Sequence, residues 1–291
     1  MRVSSPMAAF TETICPGVTF TVEADHMLYA GRTDFQTVHV FEHNTLGRVL
    51  ALDNVVQTTE LDEFVYHEML THTPVFAHGS VRTALIIGGG DGGIARELLR
   101  HPVDRVVMVE IDGEVVSLCR KHLPSLSNGA FDDPRLDLII GDGAKFVENS
   151  DETFDVVIID STDPIGPGKV LFETPFLTAC RERLSPGGIL VNQNGTPAFM
   201  PWAMKQSASH FARVFPQYGF FYAPVPTYVS GVMALGWASE DHNLANVNLD
   251  AITTRFEGVG LSMQWYSPEV HAGAFAQPPV LASLARSVAP T

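Results

Sequence analysis

The chain has 291 residues, with 18 Lys and Arg against 33 Asp and Glu, for a formal net charge of −15. That balance argues against nucleic acid, because a duplex-binding face needs clustered cations, and the densest basic run here is the isolated pair Arg120-Lys121. With 45% hydrophobic and 18% charged residues the chain can bury a sizeable core, which excludes disorder and favours one or two globular domains.

The 3 cysteines, Cys15, Cys119 and Cys180, show neither CxxC nor metal-ligand spacing, as expected in a reducing compartment. The opening residues hold no apolar core of a signal peptide, and nowhere do roughly eighteen apolar residues run together. A soluble, cytoplasmic protein with no membrane partner is the expectation.

The first sixty or so residues read as β-structure. Val18 to Val22 alternates, Phe35 to Glu42 is rich in β-branched and aromatic residues, and Arg48 to Leu52 meets Val55 to Thr58 across the hairpin signal Asp53-Asn54. Thr59 reads as an N-cap with Asp62 three positions on, followed by Leu61, Val65 and Met69 at helical spacing until Pro74. Residues 1–76 are thus expected to form a small β-hairpin domain with a linking helix, and residues 77–291 a second domain.

From Val81 the pattern changes to short apolar strands, each followed by a helix. The strands read are Thr83 to Ile87, Arg105 to Glu110, Leu136 to Ile140, Val156 to Asp160 and Gly188 to Gln193. The helices fall near Ile94 to Arg100, Gly113 to Leu123, Ala144 to Asn149, Pro175 to Leu184 and Ala203 to Phe215. Such alternation predicts an α/β fold with a doubly wound, mostly parallel sheet. Phe220 to Pro224 and Val232 to Ala238 read as a hairpin at the sheet's far edge, and the tail gives a helix only around Leu281 to Ser287.

In such a sheet, ligands bind beyond the carboxyl ends of the strands. The first strand ends in Gly88-Gly89-Gly90-Asp91-Gly92-Gly93, the second in Glu110-Ile111-Asp112, the third in Gly141-Asp142-Gly143 and the fourth in Asp160-Ser161-Thr162-Asp163. Gly88, Gly90 and Gly93 satisfy GxGxxG, and Glu110 follows Gly90 at the separation where an acid binds a ribose. A dinucleotide's pyrophosphate wants a loop free of negative charge. This loop carries Asp91 and faces Asp142, Asp160 and Asp163, and like charges at ~4 Å cost about 4 kcal/mol at an effective dielectric of ~20. The expected ligand is therefore a cationic nucleoside without phosphates, such as an S-adenosyl compound. Structural alternatives stand beside each assignment: Glu110 and Asp142 as helix caps, Asp163-Pro164 as a turn initiator, Tyr228 as a loop anchor. His67 and His72 are five apart rather than four, so they diverge on a helix and do not form a zinc motif.

LIIGGGDGGIARE, MVEID, IIGDGAKF and VVIIDSTDPIGPGKVLF, in this order, resemble the polyamine aminopropyltransferases, specifically the spermidine synthases. GRVLALDNVVQTTELDEFVYHEMLTH upstream and VPTYVSG downstream extend the likeness from about Asp34 to Trp237. The resemblance implies a Rossmann-like, methyltransferase-type domain behind a small N-terminal β-domain, assembled as homodimers or homotetramers. It also implies transfer of an aminopropyl group from decarboxylated S-adenosylmethionine to putrescine, giving spermidine and methylthioadenosine. That donor is a co-substrate, and neither cofactor nor metal is implied.

Carried over by motif, the resemblance gives Gln36, Gln57, Glu110, Asp142, Gly143 and Pro167 to the nucleoside, and Asp91 to the donor's terminal amine. Asp160 becomes the proton acceptor, with Tyr66, His67, Asp91, Asp163 and Tyr228 lining the polyamine channel. The chain departs from many relatives in having Gln193-Asn194-Gly195 where they have QGE. Alternative readings are an S-adenosylmethionine-dependent methyltransferase, an NAD(P)-dependent dehydrogenase, a non-catalytic polyamine or nucleoside sensor, and an aminopropyltransferase acting on cadaverine or agmatine.

Overall fold

The computed structural model of the protein describes residues 8–163 and 166–286. Six strands come first: β1 (Ala8–Cys15), β2 (Val18–Ala24), β3 (His26–Arg32), β4 (Thr37–His43), β5 (Gly47–Leu52) and β6 (Val55–Thr59). β1 and β2 form a two-stranded ribbon, and β3 to β6 an antiparallel sheet in chain order. Asp53 and Asn54 both take left-handed backbone (φ 47° and 62°), the turn that joins β5 to β6 with the twist a hairpin requires. β1 and β3 were not among the strands expected from sequence.

Helix α1 (Glu63–His78) follows, and two expectations about it are corrected. Its N-cap position is Asp62; Thr59 stays in β6 and donates its hydroxyl to Asp62 Oδ1 at 2.7 Å. Pro74 does not end it. The helix runs on to His78 and closes at Gly79, in left-handed backbone at φ 87°, whose N–H bonds the Val75 carbonyl. Proline removes one backbone donor, but every residue from Val65 to Phe76 is buried, so tertiary packing outweighs that local cost.

The second sheet and its helices follow in order: β7 (Thr83–Gly88), α2 (Gly93–Leu99), β8 (Arg105–Glu110), α3 (Gly113–His122), α4 (Pro124–Ser127), β9 (Leu136–Ile140), α5 (Gly143–Asn149) and β10 (Phe154–Asp160). After a 3-10 segment (Gly166–Phe172) come α6 (Thr174–Glu182), β11 (Leu184–Gln193), α7 (Pro201–Val214), β12 (Gln217–Ala223) and β13 (Met233–Ser239). Helices α8 (Leu249–Val259), α9 (Pro268–Ala274) and α10 (Pro279–Ala285) complete the described chain. α10 answers to the expected terminal helix, whose last residue, Ser287, lies outside the described residues; α8 and α9 are additional.

The seven strands lie in the order β12-β13-β11-β10-β7-β8-β9, all parallel except β13, which pairs antiparallel with both β11 and the edge strand β12. Both faces of the central strands β7, β8, β10 and β11 are covered, which is why these strands read as continuous apolar runs. Ala84, Ile86, Val156 and Ile158 face one core with α1 and α2, while Leu85, Ile87, Val157 and Ile159 face another with α6 and α7. β7 pairs with β8 on one side and β10 on the other, so the chain reverses its winding there and opens a crevice at the strands' carboxyl ends. Among the described residues no helix is long and apolar enough to cross a membrane.

Candidate active site

That crevice holds a cavity of about 670 Å³. Gln36, Gln57, Tyr66, His67, Asp91, Glu110, Asp142, Gly143, Asp160, Asp163 and Tyr228, all expected from sequence, line it together. Pro167 is the exception, because its side chain lies outside the described residues. A larger concavity of about 750 Å³ opens beside α2, but its charged lining sits away from the strand ends, so the smaller cavity is the chemical one.

The nucleoside end is built from β8 and its neighbours. Glu110 ends the strand almost fully buried, and its Oε1 accepts the Asp112 N–H at 2.9 Å. Burial raises its pKa to about 7; the Asp112 N–H bond opposes the shift, and the charges of Asp112 and Asp160 add to it. Asp112 caps α3 through Oδ1 and accepts at Oδ2 from Thr33 Oγ1 (2.6 Å) and Gln36 Nε2 (3.0 Å). Gln36 is therefore fixed to the strand end by an acid that sequence reading left unassigned. Asp142 is both cap and wall: its Oδ1 accepts from the Ala144 and Lys145 amides, while the side chain borders the cavity. Gln57 donates to the Val55 carbonyl at 3.2 Å.

The acidic end lies where β7 and β10 finish side by side. Gly88, at φ 88°, is required there: a Cβ would stand 2.0 Å from the Asp160 carbonyl oxygen. Asp91 accepts the Gly93 N–H at Oδ1 (2.8 Å) and faces His67 Nε2 with Oδ2 (3.3 Å). Asp160 Oδ1 accepts the Tyr66 hydroxyl at 2.7 Å. Burial pushes Asp160 up to about 6, the Asp91 charge adding to the shift while His67 and the Tyr66 bond oppose it. One polar atom each of His67, Asp91 and Asp160 lies within 4.8 Å of the others, a cluster shaped for a cation.

The His67 ring is buried, which pulls its pKa down, but Asp91 and Glu63 outweigh this and raise it to about 10. An imidazolium donates from both ring nitrogens and has no lone pair to share. Tyr228 stands 6.2 Å from the Tyr66 ring and donates its hydroxyl to the Gln57 carbonyl, so it is loop anchor and cavity wall at once.

Sequence reading missed Glu12. It reaches the cavity from β1 while accepting the Val56 N–H at 3.0 Å; burial raises its pKa, with the Asp163 charge contributing. No local motif marks it, because the contact joins residues far apart in sequence. Asn194 is fully buried and donates to Asn192 Oδ1 at 2.8 Å, behind the wall formed by Gln193 and Gly195. Asp163 is raised by burial, and a Gln193 hydrogen bond opposes the shift.

Residues 63–250 match the spermine/spermidine synthase domain and residues 9–60 the spermidine synthase tetramerisation domain. The chain is 49% identical to polyamine aminopropyltransferase 1 of Pseudomonas aeruginosa, over 94% of this chain and 96% of that one. Identity to the polyamine aminopropyltransferase of Pseudomonas syringae pv. tomato is 47% over the same shares. Among solved structures, a spermidine synthase in complex with the transition state analogue AdoDATO superposes with a TM-score of 0.92 at 35% identity, covering 98% of each chain. The spermidine synthase of Thermotoga maritima gives 0.89 at 33% identity, covering 98% of this chain and 97% of that one. The chain belongs to the spermine/spermidine synthase family, the transferases known as polyamine aminopropyltransferases.

Proposed function

We propose that the protein is a spermidine synthase, transferring the aminopropyl group of decarboxylated S-adenosylmethionine to putrescine and releasing methylthioadenosine. The observation that carries this reading is the convergence of Asp91, Asp160 and His67 within 4.8 Å at the end of a nucleoside-sized crevice. A phosphate or a methionine carboxylate placed there meets two aspartates, whereas an ammonium or sulfonium is attracted.

The donor's ribose hydroxyls bond Glu110, its adenine lies toward Asp142 and Gly143, and its terminal ammonium pairs with Asp91. The acceptor's reacting nitrogen lies between Tyr66, Tyr228 and Asp160, and its far ammonium lies between Asp163 and Glu12. The amine nitrogen attacks the carbon next to sulfur; the carbon–sulfur bond breaks and its electron pair leaves with a neutral thioether. Because a sulfonium is already a good leaving group, the step calls on neither metal nor acid. Alignment of the two substrates supplies most of the rate, for which well-oriented systems recover roughly 7 to 11 kcal/mol.

The nitrogen must lose a proton that an ordinary alkylammonium holds up to a pKa of about 10.4. Asp160 accepts it and passes it to water. The deciding experiment incubates the protein with decarboxylated S-adenosylmethionine and a panel of diamines, and identifies products by mass spectrometry. Spermidine and methylthioadenosine support the reading. Stabilisation by NAD equal to that by methylthioadenosine, with no aminopropylated product, overturns it.

The match of residues 9–60 to a tetramerisation domain supports self-association through the N-terminal strands.

A further inference from the structure

The His67 imidazole stands between two carboxylates, with Nδ1 2.5 Å from Glu63 Oε2 and Nε2 3.3 Å from Asp91 Oδ2. A neutral imidazole carries one ring hydrogen and can donate to only one of them; an imidazolium donates to both. Glu63 lies one turn earlier on α1 and has nearly no exposure. Arg96 grips it with a two-pronged contact, Nη1 to Oε1 at 2.9 Å and Nη2 to Oε2 at 2.8 Å. Arg96 is itself held, by Glu97 at 2.7 Å and by the Leu126 carbonyl at 2.7 Å. A planar guanidinium with this many bonds fixes its carboxylate in place and in charge. Burial works against the Glu63 charge, but His67 and Arg96 bring its pKa down to about 2.

Helix α2 serves this arrangement twice. Gly93 makes room for the ring, since a Cβ there would lie 2.3 Å from His67 Cε1, and three positions on the same helix supplies Arg96. Facing His67 are Glu63 from α1, Asp91 from the β7–α2 loop, Asp160 from the end of β10, and the rings of Tyr66 and, beyond it, Tyr228. The Arg96 guanidinium stands behind Glu63. No step assigned to Asp160 or Asp91 uses Glu63 or Arg96.

We infer that Glu63 and Arg96 are positioning residues, holding His67 as a fixed imidazolium beside Asp91 and Asp160 so that the acceptor amine sheds its proton on entering. This rests on the aminopropyl-transfer reading. Carboxylates alone raise the pKa of an ammonium placed among them, and a cation anchored beside them lowers it again. The proton leaves the acceptor nitrogen for Asp160 and then water, while His67 keeps both of its own.

The test uses the full-length protein as wild type, Glu63→Gln and Arg96→Lys, with His67→Gln to assign the ring signals by nitrogen NMR. In the ligand-free wild type at about pH 8, both His67 ring nitrogens are expected to carry protons, and in Glu63→Gln only one. In kinetics, the ascending limb of kcat/KM for the diamine should move about one unit alkaline in Glu63→Gln, a loss of about tenfold near pH 7.5 that recovers near pH 9.5. Arg96→Lys keeps a charge but loses the two-pronged grip, and should show a smaller shift in the same direction. Methylthioadenosine affinity should stay within about threefold, because the change lies away from the nucleoside end. A neutral His67 in an active wild type overturns the inference. So does a Glu63→Gln profile that is lowered uniformly without moving along the pH axis, which is what a purely structural role produces. Failure of the wild type to form any aminopropylated product overturns the functional reading instead, and this role with it.

Discussion

The Tyr66 hydroxyl donates to Asp160 Oδ1 at 2.7 Å, linking helix α1 to the end of strand β10 across 94 positions of sequence. Burial makes the phenol still harder to ionise than usual, and the Asp160 charge adds to this, so Tyr66 remains a donor. The bond favours the ionised aspartate, the form that can accept a proton. Asp160→Asn keeps the shape but removes that capacity, and turnover should fall by at least ~10² while methylthioadenosine affinity changes only a few-fold. Tyr66→Phe should cost less, about tenfold in kcat, and should move the acid limb of the pH profile upward as the Asp160 pKa rises. Steady-state kinetics over a pH series measures both; near-normal turnover of Asp160→Asn removes it from the chemistry.

Glu110 gives a second pH prediction. Its native pKa of about 7 lies above its ordinary value of 4.5, so between these limits the native state binds more protons than the unfolded one. Its contribution to the ligand-free protein's stability is therefore fully present below about 4.5 and is lost as pH rises through about 7. Ribose hydroxyls that donate to the carboxylate stabilise its charged form. Methylthioadenosine binding should accordingly release protons near pH 6.5 and tighten as pH rises toward ~7. Calorimetry in two buffers of different ionisation heat reads the release directly. Glu110→Gln should abolish it and cost about 1.5–3 kcal/mol of affinity, whereas pH-independent binding by the wild type counts against the ribose contact.

Asp62, nearly fully buried at the start of α1, supports a third prediction. It accepts the Thr227 N–H at 2.7 Å and the Thr227 hydroxyl at 2.8 Å, pinning the loop whose next residue is Tyr228. Thr227→Val should leave part of that carboxylate unsatisfied and destabilise the fold by about 1–3 kcal/mol. With Tyr228 less firmly placed, the acceptor KM should rise more than the donor KM. Denaturant midpoints and separate KM values test the two halves. A stability loss with unchanged acceptor KM shows that the loop does not depend on this anchor.

How much of this was legible beforehand follows from the range of each interaction. β8 begins and ends where its apolar run does, because both faces of that strand are packed and the sequence reports it locally. Asp53-Asn54 likewise announced its turn. β3 did not declare itself, since its residues are exposed or half-buried on both faces and show no alternation. α8 carried readable signals, a capping Asn248 that accepts the Ala251 N–H and a left-handed Gly260 after the last turn. In the site, every acid that ends a strand was identifiable because the fold rule says where such residues go. Glu12 and Arg96 were not, since Glu12 meets β6 from 44 positions away and Arg96 meets Glu63 from 33. The Glu63–His67 contact, four apart on one helix, was the readable half of that network.

Self-association is the fourth prediction. The N-terminal strands make a separate two-stranded ribbon and a four-stranded sheet, and such small sheets leave edges that symmetric pairing covers. Sedimentation at micromolar concentration should give a dimer or tetramer, and removing residues 1–24, which hold β1 and β2, should weaken or abolish it. A wild type that stays monomeric across that range defeats the proposal.

The acceptor is the last prediction. A diamine must place one nitrogen at Asp160 and its other ammonium at a counter-site, so the span between the two selects chain length. Asn194 cannot supply the far carboxylate, being fully buried and bonded to Asn192. The cavity instead offers Asp163 and, from the N-terminal strand, Glu12. Burial raises the pKa of both, so each is short of a partner that an ammonium provides. A surplus methylene in a fitted pocket costs ~1 to 3 kcal/mol; putrescine should therefore give the highest kcat/KM, with cadaverine below it. Spermidine should be poor, because its further charged arm needs a longer channel. Glu12→Gln and Asp163→Asn should each raise the putrescine KM about tenfold or more while changing the donor KM little, as expected for loss of a partly buried charge pair. Competition kinetics in which cadaverine, agmatine or spermidine outcompetes putrescine would overturn this acceptor assignment and leave the transfer chemistry standing. An unchanged putrescine KM in Glu12→Gln would return the far ammonium to Asp163 alone.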